Sequence, residues 1–240
     1  GNYDISNGPV DKRRVYLTFD GSYYNNVTGD ILDTLRSRGV KATMFLTGTY
    51  IRKYPETVKR IVQEGHVVGN HTFSHPHLTT YQENRRHTTK PGIGPERIRR
   101  ELSMNDSLFK GTVGRGMKSI WRAPYGERNR EICRWAKECG YIHIGWKRAR
   151  SPRYNYDTYD WVPDRETPGY FTPMEILEKF KRLSESSQNG MNGAIILMHL
   201  GSTRKRREEM VHTILGGFVD MMRDKGYSFS VVTDMVPEGA

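Results

Sequence analysis

Cysteine is nearly absent from this chain: among 240 residues only Cys133 and Cys139 occur. Both fall in "REICRWAKECG", which reads as a helix, and six residues of helical rise separate them by about 9 Å, beyond disulfide reach. A disulfide framework and a cysteine zinc site are therefore not expected. Long apolar runs are missing as well. No stretch approaches the roughly 18 residues that cross a bilayer, and the start, "GNYDISNGPV", lacks the charged and apolar regions of a signal peptide. Gly1 reads as the edge of an expressed fragment, with an export signal or anchor expected upstream of it. There is no finger-like Cys/His spacing, no aromatic-rich basic RNA-binding signature and no continuous basic helix, so specific nucleic-acid binding is not expected.

What the chain has in excess is positive charge. With 38 Lys and Arg against 27 Asp and Glu, the formal net charge is +11, which favours anionic surroundings such as a cell-wall polymer, lipid headgroups or nucleic acid. Charge alone does not choose among them; an envelope setting, with anionic cell-wall polymer as the contact, is the preferred reading. Only 35% of residues are hydrophobic, but they cluster in periodic segments, so a folded chain is expected, most simply one domain over 1–240.

Strand and helix signals alternate. "VYLTF" reads as a strand, and "VTGDILDTLRSRGV" follows as a helix with Ile31, Leu32 and Leu35 on one face, Thr28 as its cap and Gly39 as its stop. "KATMFLTG" is a second strand, "YPETVKRIVQEGH" a helix opened by Pro55, and "VVGNH" a third strand. From 81 to 118 the rhythm fails among Gly, Pro and basic residues, and this segment is expected to be a surface insertion with one helix after Pro95. "SIW", "GYIHIGW", "GAIILMH" and "YSFSVVT" complete about seven strands interleaved with helices. Parallel α/β architecture follows, as a barrel or a doubly wound sheet.

In such folds the carboxyl ends of the strands meet on one face and carry the site. Asp20 follows "YLTF", His71 and His75 follow "VVGN", Arg122 ends "SIW" and His199 ends "AIILM". Histidines four apart can turn both imidazoles to one point, as a divalent-metal pair does, although two solvated histidines at a helix start have the same spacing. His66 and His77 read as turn or surface residues, and Asp157 as a loop cap.

Taken in order, "TFDG", "HTFSHP", "RAPYG", "DTYDW" and "LMH" resemble the five motifs of the polysaccharide deacetylases of the NodB-homology group, carbohydrate esterase family 4. The resemblance runs from Val15 to about Val232. It implies a distorted (β/α) barrel and metal-dependent removal of acetyl groups from N-acetylated sugars of peptidoglycan or chitin type. It also implies roles: Asp20 as general base, His71 and His75 as metal ligands, Arg122 as the tether of the base, and Tyr125 as an oxyanion donor through its backbone N–H. Asp160 would charge and orient His199, the general acid, while Trp161 and Leu197 would wall the acetyl pocket. The implied cofactor is a divalent ion, zinc first, with cobalt, nickel or manganese as alternatives.

One position departs from the pattern. Where the family carries two adjacent aspartates, this chain has Asp20 and Gly21, so an anionic metal ligand is lost. Three outcomes stay open: Asp20 remains the base while the ion uses His71, His75 and water; Asp20 turns to the metal and His199 handles most proton transfer; or the protein binds glycan without hydrolysis. An O-acetyl xylan esterase is a further alternative.

Overall fold

A computed structural model describes residues 3–186 and 189–236. Its strands are β1 (Asp4–Ile5), β2 (Arg14–Gly21), β3 (Thr43–Leu46), β4 (Val67–Asn70), β5 (Ile120–Trp121), β6 (Ile142–Ile144), β7 (Ile195–His199) and β8 (Ser228–Ser230). The helices are α1 (Thr28–Ser37), α2 (Gly48–Lys53), α3 (Pro55–Gln63), α4 (Tyr81–Asn84), α5 (Pro95–Val113), α6 (Arg130–Glu138), α7 (Pro173–Glu185) and α8 (His212–Asp224). Every strand pairing is parallel, in the order β1-β6-β5-β4-β3-β2-β7, with β8 beside the start of β2. No hydrogen-bonded ladder joins β1 to β7 among the described residues, so the barrel is distorted and open on that side. The loop carrying Tyr156 and Thr158 runs along the outer edge of β7 instead, bonding Leu197 through its N–H and its C=O.

The strongest sequence signal gives the central strand. Val15 to Gly21 of β2 are all buried, the near-continuous burial of a parallel strand covered on both faces. Ile31, Leu32 and Leu35 of α1 pack inward as their spacing predicts. Thr28 does not cap α1, however. It is the helix's first residue, and its hydroxyl donates to Leu200 O at 2.8 Å and meets the Tyr50 hydroxyl at 2.9 Å. The eighth strand, β1, escaped the sequence reading because two residues carry no periodicity.

The expected insertion at 81–118 resolves differently. Its helix α5 connects β4 to β5 and buries Ile98, Leu102 and Phe109 together with the polar Glu101 and Asn105. Asn105 Nδ2 donates to Leu46 O and Asn70 Oδ1, both at 2.8 Å, at the ends of β3 and β4. This helix is a working crossover of the β/α repeat, so surface elaboration is limited to the segments flanking it. Cys133 and Cys139 are both free.

Candidate active site

Asp20 and His199 are register partners on the adjacent strands β2 and β7, so both side chains reach the carboxyl end of the barrel together. A cleft of about 930 Å³ opens there, and Asp20, His71, His75, Tyr125, Trp161, Leu197 and His199 all line it. Arg122 and Asp160 lie beneath the surface, 0% and 1% exposed.

Asp20 is held by a buried guanidinium. Arg122 Nη1 donates to Asp20 Oδ1 at 2.9 Å and to Thr18 Oγ1 at 2.8 Å, while its Nε donates to Ile144 O at 2.9 Å. Burial opposes ionisation of Asp20, but Arg122, aided by His71 and His199, outweighs it and keeps the carboxyl below the usual carboxylate range. An ionised group this deep survives only because it is paired and hydrogen-bonded.

His199 is prepared in the opposite sense. Its Nδ1 lies 2.7 Å from Asp160 Oδ1, and its backbone N–H donates to Asp160 Oδ2 at 2.9 Å. Burial works against the charged imidazole, yet the Asp160 carboxylate, supported by Asp20 and Asp157, raises His199 to about 9. A buried arginine fixes the loop behind this pair: Arg204 donates to Tyr159 O, Val162 O and Glu209 O at 3.1, 3.0 and 2.5 Å.

The histidine pair converges. His71 Nδ1 donates to Arg122 O at 2.8 Å, leaving Nε2 with its lone pair, and His75 Nε2 lies 3.3 Å from that atom. Two nitrogens on one tetrahedral zinc, with bonds near 2.05 Å, sit about 3.3–3.4 Å apart, so the pair fits a divalent ion. Burial and the neighbouring His71 push His75 down to about 2, so it is a neutral donor. His75 occupies the left-handed region at φ 56°, as do Thr72 at 66° and Tyr125 at 56°, backbone strain gathered at one site. Asp20 Oδ2 is 3.5 Å from His71 Nε2.

Gly21 explains what became of the absent acid. A Cβ there would meet Leu46 Cδ2 at 2.8 Å, Leu200 Cδ1 at 3.0 Å and Tyr50 Cδ2 at 3.2 Å. Apolar side chains occupy the space, so the position is refilled rather than vacant. Among the described residues, three metal-capable side chains come within 4.8 Å of one another at Asp4, Cys133 and His143. His143 has nothing left to give an ion, because Nδ1 meets Asp4 Oδ1 at 2.8 Å and Nε2 accepts the Ala123 N–H at 3.1 Å. Burial also pushes the Cys133 thiol up to about 12, away from the thiolate that binds metal.

Tyr125 sits in a tight turn, Pro124–Gly126. The N–H groups of Gly126 and Glu127 donate to Ala123 O and Pro124 O, whereas that of Tyr125 has no partner among the described residues. Trp161 is 48% exposed, its Nε1 3.4 Å from Asp157 Oδ2. Asp157 does cap its loop, accepting the Tyr159 N–H at 2.7 Å.

Sequence reasoning missed several supporting residues. His77 is no idle turn residue: its ring stacks on Tyr125 at 3.9 Å and 7°, and its Nδ1 lies 2.7 Å from Glu127 Oε1. Glu101 of α5 accepts the Ser74 N–H at 2.8 Å, fixing the loop between His71 and His75. Polar residues at 101 and 105, on the apolar face of α5, were the signal that could have found this support.

The family model described as polysaccharide deacetylase matches residues 7–144. A peptidoglycan-N-acetylglucosamine deacetylase of Bacillus cereus is 36% identical over 154 residues, covering 64% of this chain and 48% of that protein. A peptidoglycan-N-acetylmuramic acid deacetylase of Bacillus subtilis is 28% identical over 232 residues, covering 96% of this chain and 74% of that protein. Among solved structures, a carbohydrate esterase family 4 pseudoenzyme from Bacillus anthracis superposes with a TM-score of 0.76 at 23% identity, covering 99% of this chain and 70% of that one.

Proposed function

Because this chain belongs to the polysaccharide deacetylase family, we propose that it hydrolyses the N-acetyl groups of an N-acetylglucosamine-type polysaccharide, of peptidoglycan or chitin type, at the cell envelope. The observation that carries the reading is the pairing of a carboxylate held ionised with a histidine held protonated on adjacent strands. Groups pushed apart in this way make a base and an acid available at one pH.

His71 and His75 would hold a divalent ion, zinc in the first instance, and the family's chemistry is metal-dependent. When bound, that ion supplies Lewis acidity, acidifying water and polarising the acetyl carbonyl. Asp20 accepts the proton of the attacking water. Its lowered pKa makes it fully ionised but a weak base, which is why the water must be acidified as well. The free N–H of Tyr125 donates to the oxygen that becomes negative. His199 gives its proton to the nitrogen as the C–N bond breaks, releasing acetate and leaving a free amine on the sugar. Trp161 and Leu197, which line the same cleft as Asp20 and His199, shape the acetyl pocket.

A second reading, glycan binding without hydrolysis, has one observation in its favour: the apolar filling around Gly21 where an acid would stand. The two separate with Asp20→Asn and His199→Ala. For the hydrolase, each variant loses acetate release from N-acetylglucosamine oligomers by about 10²-fold or more while still binding them. Turnover equal to that of the unaltered protein would remove both residues from the mechanism.

A further inference from the structure

His71 and His75 are aimed by different means. His71 Nδ1 donates to Arg122 O at 2.8 Å, the second hydrogen bond that a metal-binding imidazole ordinarily makes, which fixes both its tautomer and its orientation. His75 lacks that bond. Its Nδ1 is buried with no hydrogen-bond partner among the described residues, while its Nε2, 3.3 Å from His71 Nε2, has to keep its lone pair for an ion. Packing alone therefore opposes rotation of the His75 ring.

That packing comes from a chain of side chains. Tyr125 sets its ring 4.5 Å from the His75 ring at 60°, and Tyr23 sets its own 5.7 Å away at 82°. Tyr125 is half exposed, so its ring would turn freely but for His77, which lies flat upon it with centroids 3.9 Å and planes 7° apart. His77 is fixed in turn by Glu127. This buried carboxylate accepts the His77 Nδ1–H through Oε1 at 2.7 Å, and the Leu78 and Thr79 N–H groups through Oε2 at 2.9 and 3.0 Å. Both of its oxygens are thus engaged with the segment that leaves His75. Glu127 stands two residues beyond Tyr125, as His77 stands two beyond His75, and Arg148 Nη2 seats the intervening turn by donating to Tyr125 O at 3.3 Å and Gly126 O at 3.2 Å. One carboxylate therefore ties the histidine loop to the turn that carries the free Tyr125 N–H.

Resting on the metal-dependent deacetylase reading, we propose that Glu127 and His77 are positioning residues that act through the Tyr125 ring, holding His75 toward the ion in place of a hydrogen bond to its Nδ1 and keeping the Tyr125 N–H in the same frame. Ion affinity and stabilisation of the developing oxyanion then depend on one stack.

Zinc titration calorimetry on chelator-stripped protein, with each variant shown to be folded by chemical denaturation, reads the stack without turnover. His77→Ala is expected to weaken zinc binding by about tenfold or more. His77→Phe, which keeps a flat ring on Tyr125, recovers most of that loss, and Glu127→Gln, which can still accept the Leu78 and Thr79 N–H groups, shows part of it. Tyr125→Ala deletes the ring but retains the backbone N–H, and it also weakens zinc. Because His77 acts through that ring, the double variant His77→Ala/Tyr125→Ala binds zinc no more weakly than Tyr125→Ala alone, a coupling that general loosening of the loop would not produce. At saturating zinc, His77→Ala lowers kcat on N-acetylglucosamine oligomers more than it raises KM, as loss of a donor acting in the transition state requires. Unaltered protein that binds zinc but releases no acetate would defeat the deacetylase reading, while the pattern of affinities would still decide this one; failure to bind zinc at all defeats both. Zinc affinity unchanged in His77→Ala, or losses that simply add in the double variant, overturns the proposal.

Discussion

His199 sets the pH dependence expected of this site. Its protonated form persists until pH passes about 9, whereas Asp20, lowered by Arg122 against its burial, stays ionised down to pH values below the ordinary carboxylate range. Activity should therefore hold across neutral pH and fall on the alkaline side near 9. Asp160→Asn removes the principal raising influence, so the alkaline limb of a kcat/KM profile should move by more than one pH unit toward acid; an unmoved limb would detach Asp160 from His199. The same shift has a stability consequence. A histidine raised from 6.5 to about 9 contributes stability that is fully present below 6.5 and lost as pH rises through 9. Gly21 makes a second prediction at this scale. With Leu46, Leu200 and Tyr50 around its missing Cβ, Gly21→Ala should cost about 1–3 kcal/mol in denaturant unfolding. Gly21→Asp should cost more and leave zinc affinity no tighter in calorimetry, and a tighter site would show that the carboxylate reaches the histidines.

At the scale of elements, α5 matters more than its sequence suggests. It anchors Leu46, Asn70 and the Ser74 loop through Asn105 and Glu101, just where β4 delivers His71. Asn105→Leu leaves the Leu46 carbonyl without this donor and should cost about 1–3 kcal/mol, with zinc affinity falling in parallel as the His71 loop loosens; full stability and affinity would make α5 mere cover. The strand ends were legible because β2 and β7 are long buried runs closing on a polar residue, and parallel topology brings such ends together. His71, His75, Arg122 and His199 were readable on that ground together with family resemblance. The roles of α5 and His77 were not. Their signals are buried polar contacts between distant segments, Asn105 to Leu46 and His77 to Glu127, and neither local periodicity nor spacing encodes a partner 59 or 50 positions away. β1 was hidden for a different reason: Asp4 and Ile5 become a strand only by pairing with His143 and Ile144.

For the whole molecule, the +11 charge and the parallel barrel divide the work. The barrel brings Asp20, His71, His75 and His199 to one cleft with Arg122 buried beneath it, and the charge favours an anionic polymer around it. No helix among the described residues is long and apolar enough to cross a membrane. The central claim is that the His71 and His75 pair supports metal-dependent deacetylation even though Gly21 stands where an acid is usual. It is tested most directly by acetate release from N-acetylglucosamine oligomers, using chelator-stripped protein shown to be folded and titrated in turn with zinc, cobalt, nickel and manganese. The account predicts no release from the stripped protein and restoration by at least one of these ions, zinc foremost. Release that is indifferent to chelation, or no release with any of the four from folded protein, would contradict it.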